Sequence, residues 1–169
     1  DGIRGGRIMK KINKITVERI ADESPDTSYL GEYANKPDSD YSIERENCGS
    51  REFRYFNPNY QNYTGCTEAE TKEYCQQDYE RMESLNAGNW CFIGIKAEVE
   101  IQTSEDGKNW LINKISSGGI WGIESGSGED YLKEEEDGQL EQLNKLLREF
   151  GFSDEEINNA KENQLESLV

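Results

Sequence analysis

Apolar residues recur along this chain with two periods, and the switches between them mark its elements. Residues 10–20 alternate, with Ile15, Val17 and Ile20 assigned to one side and Lys14, Thr16 and Glu18 to the other. That is the period of a half-buried strand. Residues 22–40 hold Pro25 and Pro37 among Asp, Ser and Gly, and read as a long loop with a turn at Ser24, Pro25 and Asp26. Tyr29, Leu30 and Tyr33 are expected to pin it by packing. Residues 41–66 gather Tyr41, Phe53, Tyr55, Phe56, Tyr60 and Tyr63 around Arg45, Arg51 and Arg54. Such a mixture suits stacking on nucleic-acid bases. The favoured reading is an aromatic mini-core beneath irregular backbone.

Residues 67–87 are predicted to be helical. Thr67 or Thr71 can cap the start, Glu68 and Glu70 fall in the first turn, and Tyr74, Cys75, Tyr79, Met82 and Leu85 recur at helical spacing. Asn86, Ala87 and Gly88 form the stop. Residues 90–103 return to period two: Cys91, Ile93, Ile95, Ala97, Val99 and Ile101 alternate against Glu98 and Glu100. Asp106 and Gly107 predict a hairpin turn, residues 110–116 its second strand, and 120–123 a third. A long helix is expected over 129–150, with Leu132, Leu140, Leu143, Leu147 and Phe150 on one side and Leu146 beside them. Gly151 ends it, and Ser153 with Glu156 forms a capping box for a short last helix.

The expected fold is α+β: an antiparallel sheet, made of the N-terminal strand and a central meander, carrying two main helices and a short C-terminal one. Residues 1–9 are expected to be a disordered or non-native leader, with Met9 as the natural start. Residues 10–152 then form a single domain and 153–169 a short acidic helix.

Charge changes this picture more than hydropathy does. Asp and Glu number 35 against 19 Lys and Arg, a net charge of −16, and His is absent. Residues 1–20 carry +4, whereas 124–169 carry −10, as do the much longer 21–123. The net charge opposes direct binding to phosphate backbones. The missing His removes the commonest general base and metal ligand. No apolar run approaches the roughly 18 residues of a membrane span. The first ten residues lack an apolar signal core. A cytoplasmic protein without a membrane partner is therefore expected.

Cys48, Cys66, Cys75 and Cys91 include no pair at zinc-knuckle spacing, and are expected to be buried reduced thiols. A Cys nucleophile lacks its usual His. Asp22, Glu23, Asp26 and Glu124 are candidates for acid–base or magnesium chemistry, yet 35 acidic residues make chance clusters certain. No catalytic residue, metal or cofactor is expected. Residues 125–130, SGSGED, lack the Lys and spacing of a phosphate loop and read as the entry to the following helix. What remains is the acidic run: Glu134, Glu135, Glu136 and Asp137, then Glu141, Glu149, Asp154, Glu155 and Glu156. Helical residues three or four apart stand about 5–6 Å from one another. That spacing is loosely comparable with nucleic-acid phosphates, about 3.4 Å per strand step, so such a face fits a Lys/Arg channel.

Three blocks carry a resemblance: INKISSGGIWGIESGSGEDYL at 112–132, ADESPDTSYLGEY at 21–33 and DYERMESLNAGNWCFIGIKAEVEI at 78–101. Together they resemble a family of small acidic proteins carried by bacteriophages and mobile elements, over most of residues 12–152. Some small acidic proteins of such elements are anti-CRISPR proteins, which disable an RNA-guided DNA nuclease, and this chain is similar to them in size and charge. SGSGED departs from the pattern, with glycines where acidic or Ser residues are expected. The resemblance implies a non-enzymatic inhibitor acting inside a bacterial host, on a basic nucleic-acid-handling protein such as a CRISPR effector nuclease. It supplies no residue-level motif. From the residues, Glu134, Glu135, Glu136, Asp137 and Glu141, helped by Asp22, Glu23 and Asp26, are expected to steer the partner. Tyr29 and Tyr33 are expected to be exposed and to hold it at short range. The alternative is a small adaptor of mobile-element biology, in one version stabilised by zinc on its four cysteines.

Overall fold

In chain order the elements are β1 (Met9–Ala21), β2 (Gly31–Ala34), β3 (Ile43–Glu44), β4 (Tyr55–Pro58), a 3-10 turn (Tyr60–Tyr63), α1 (Glu68–Asn86), β5 (Phe92–Ser104), β6 (Leu111–Ser116), β7 (Ile120–Glu124), α2 (Glu129–Glu149) and α3 (Asp154–Glu166). The structure is a computed structural model and describes residues 8–46, 49 and 53–166. The protein is α+β, with antiparallel pairing in both of its sheets. Residues up to 22 together with those from 92 onward form one compact unit, and residues 23–91 form the other. No described helix is long and apolar enough to cross a membrane.

β5 is the spine of the first unit. β1 runs along one edge, Met9 opposite Ser104 and Ala21 opposite Ile93. The other edge is shared end to end: β6 pairs with Glu98 to Thr103, and β7 with Phe92 to Ile95. β7 therefore doubles back to β5 instead of continuing outward from β6. Ser117 makes the break. Its N–H donates to the Ala97 carbonyl at 2.9 Å, and its hydroxyl accepts the Ala97 N–H at 3.0 Å. Gly119, at φ 79°, then turns the chain. Gly94 has no side chain because the Trp121 indole lies where a Cβ would stand, beside the register slip between Ile93 and Ile95.

Every second residue of β5 from Ile95 to Ile101 is buried, and α2 covers that face with Leu132, Leu143 and Leu147. Phe152 and Ile157 complete the cover. A bulge between Ile12 and Lys14 brings Ile12 onto the face of Ile15 and Val17. Ile20 is not on that face. It stands opposite Gly94, one register step from the buried row, and Arg19 takes the inward position. Cys91, expected in the strand, precedes it and is exposed. Phe150, expected on the apolar side, is 54% exposed, because α2 ends there and the turn at Gly151 hands the buried position to Phe152.

In the second unit, part of the expected loop is a strand. β2 pairs with β4, which also pairs with β3. Four residues, GEYA, are too few to show a period, so β2 is invisible in sequence. Phe56 of β4 is fully buried among Leu30, Met82, Tyr33, Ile43, Tyr79 and Leu85. Of the aromatic mini-core expected from residues 41–66, only Phe56 lies in this cluster; Phe53 and Tyr60 are exposed, and Arg51 lies outside the described residues. Thr67, not Thr71, caps α1: its hydroxyl accepts the Glu70 N–H at 3.3 Å, and the Glu70 carboxylate accepts the Thr67 N–H at 2.8 Å.

Asp78 is the one buried carboxylate of α1. Burial pushes its carboxyl above the ordinary value, and the Tyr63 hydroxyl, donating at 2.6 Å, pulls it back. The bond favours the ionised form. Tyr63→Phe is therefore expected to cost about 1.5–3 kcal/mol near neutral pH. The loss should shrink as pH falls through the raised Asp78 value, because the protonated acid no longer needs the donor. Urea melts of both proteins across acidic pH measure it. A penalty independent of pH would assign Tyr63 to packing alone.

Candidate interaction surface

α2 carries most of the acidic run, and its heptad-like geometry divides that run in two. Leu132, Glu136, Gln139, Leu143 and Leu147 succeed one another by three or four residues and face the sheet. Asp130, Glu134, Asp137 and Glu141 follow the same rule on the opposite side, and all four are exposed. Glu135 is half-buried between the two rows.

Glu136 is therefore an inward residue, with its side chain only 20% exposed. It meets Arg19, which the alternation of β1 places under α2. Arg19 Nε donates to Glu136 Oε1 at 2.7 Å, and Nη2 to Glu129 Oε2 at 3.0 Å. The two carboxylates raise the guanidinium further above its ordinary value, and Arg19 holds Glu129 below its own. One cation thus ties two points of the helix, about two turns apart, to the sheet. Sequence reasoning passed over Arg19. The signal was there: it continues the spacing of Ile15 and Val17, where a buried-face residue belongs.

Local cations answer part of the outer row. Lys133 reaches Asp137 at 2.6 Å, and Arg148 lies 3.8 Å from Glu141 and 2.7 Å from Asp154. Such exposed pairs contribute little to stability, so they are readily exchanged for a partner's cations. In the first turn of α3, Glu156 is spent on capping: its carboxylate accepts the Ser153 N–H at 2.7 Å, which holds it below its ordinary value.

The remaining expected residues do not fall into one group. The Asp22 carboxylate accepts the Gly122 N–H at 3.2 Å and fastens the end of β1 to β7. Glu23 and Asp26 belong to the other unit. The Ser28 hydroxyl and, at 2.9 Å, the Ser28 N–H both donate to the Asp26 carboxylate in a side-chain turn, which lowers it below the ordinary value. Tyr29 is 42% exposed, as expected. Tyr33 is not exposed. Its hydroxyl donates to Glu83 at 2.7 Å and accepts from Asn86 at 2.6 Å, its ring packs edge-on to Phe56, and the Arg45 guanidinium covers it at 4.3 Å. The second sheet needs Tyr33 as framework. Arg45 also donates to Glu83 at 3.0 Å, and Arg54 pairs with Glu44. Arg45 thus serves the unit's own interior, whereas the Arg54–Glu44 pair is exposed.

Among the cysteines, Cys75 is buried and its thiol is pushed up to about 11 by burial. Cys66 and Cys91 are exposed, against expectation, because each lies in the irregular backbone flanking an element. Cys48 lies outside the described residues. Among the described residues no three His, Cys, Asp or Glu side chains are grouped to hold a metal ion.

Comparison with known proteins adds no relative. No protein-family model, curated protein or solved structure matches the chain.

Proposed function

We propose that the chain is a non-enzymatic inhibitor that lays the outer face of α2 into the cationic groove of a nucleic-acid-handling protein. An RNA-guided DNA nuclease is the target that its resemblance names, and the bacterial cytoplasm the place of action. One observation carries the reading: Asp130, Glu134, Asp137 and Glu141 form an exposed anionic row on a helix whose other side is locked to the sheet. A row carried on a preformed helix needs no backbone ordering on binding, and its field steers a cationic partner from a distance. Glu155, in the first turn of α3, adds to that field, and Tyr29 is a candidate for short-range contact in the other unit.

The test uses a purified nuclease–guide complex. The chain is expected to reduce DNA loading or cleavage, and its affinity to fall steeply as salt rises from about 0.05 M to about 0.5 M. Unchanged cleavage at saturating inhibitor rejects the nuclease as target. Salt-independent affinity rejects the electrostatic row as the reason for binding.

A further inference from the structure

We infer that β6 is the seam of a symmetric dimer, in which two copies of the chain pair their β6 strands antiparallel and join their sheets. The proposal does not rest on the inhibitor reading. β6 ends its sheet, and among the described residues no strand pairs with its outer edge. Edge strands are usually protected by proline, a bulge or charge, Lys above all. β6 reads LINKIS: Lys114 is its one charge, and it has no proline and no register shift against β5. Leu111 is 72% exposed and Ile112 60%, on opposite faces of the strand.

Charge admits a second copy of the chain as the occupant. Residues 108–123 contain Lys108 and Lys114 and no Asp or Glu, in a chain of net charge −16. Lys114 is itself answered by Glu98 at 2.8 Å. Two copies of such an anionic protein repel wherever acid faces acid, and this strand is a place where they do not. The pairing also closes on itself. Centred on Asn113, it sets Leu111 opposite the partner's Ile115, twice over, on the face that α2 and α3 cover. Ile115 already packs against the buried cluster there, so Leu111 would extend that core across the seam. Centred one residue later, it would set Lys114 against the partner's Lys114. A seam of six residues is small, so the dimer is weak and forms with rising concentration.

Sedimentation velocity of the full chain tests this. Dimer is expected to grow with protein concentration. Its dissociation constant should be at least about tenfold smaller at about 0.5 M than at about 0.05 M salt, as screening relieves the mutual repulsion. Salt thus acts with opposite sign on this dimer and on capture of a cationic partner. Leu111→Lys should weaken the dimer at least about tenfold with an unchanged circular dichroism melt, since the side chain is exposed. A chain that stays monomeric at high salt and high concentration overturns the proposal and leaves the edge to another protein's strand. Dimerisation unaffected by Leu111→Lys overturns it too.

Discussion

Reversing Glu134 and Glu141 to Lys together is expected to weaken binding to a cationic partner by about 100-fold at low salt, with the fold intact. Both side chains point outward from α2, and Glu141 has only an exposed Arg148 at 3.8 Å to lose. Electrostatic steering by a charged face changes association by about 10- to 1,000-fold, and four units of charge fall in the middle of that range. The loss should appear in the association rate and fade as salt rises. Glu136→Lys is expected to behave differently. It sets a second cation against Arg19 on the sheet-facing row, leaves Arg19 to Glu129, and lowers the melting temperature. Reversing residues 134–136 as a block would confuse the two effects. Affinity titrations beside thermal melts separate them. An outer double variant that binds like the wild type removes α2 from the interface.

Gly31→Ala is expected to cost about 3–5 kcal/mol. Gly31 is buried at φ 146°, a backbone region that side chains rarely enter. A Cβ there would press on the Asn57 carbonyl and would come within 2.7 Å of both the Phe56 ring and the Pro58 Cα. Two of those three neighbours are backbone of the paired strand and cannot turn away. Phe56 is the centre of the second core, so the strain passes directly into it. For a unit of this size the melting temperature should fall by at least about 12 °C. Gly65→Ala is the control: φ is 99°, but nothing lies within 4 Å of its Cβ position. It should cost only about 1 kcal/mol. Equal effects at the two glycines would place the whole cost in φ and none in the close approach to β4.

The elements that show in sequence are the ones long enough to repeat. α1 and α2 span 19 and 21 residues, and β5 spans 13, so their periods stand out against local noise. The capping boxes at Thr67 and Ser153 are also local, since donor and acceptor lie three residues apart. β2 and β3, at four and two residues, have no such signal, and their partner β4 is 20 or more residues from β2 in the chain. Of the candidate site, the acidic row was legible as composition. Its division into an outer and an inner face needed the phase of α2, and the anchor on Glu136 comes from a strand 117 residues away.

Sequence alone determined the secondary structure of the longer elements, the net charge and the gathering of acid toward α2 and α3, because each depends only on neighbours within about two helical turns. Tertiary structure decided which carboxylates are committed to the fold and which face solvent, that Tyr33 is framework, and that among the described residues no strand pairs with the outer edge of β6. Those outcomes depend on which distant segment arrives opposite each residue, and pairing across 100 residues leaves no trace in the local pattern. A charge therefore acquires its role only when its partner, or bulk water, takes the place beside it.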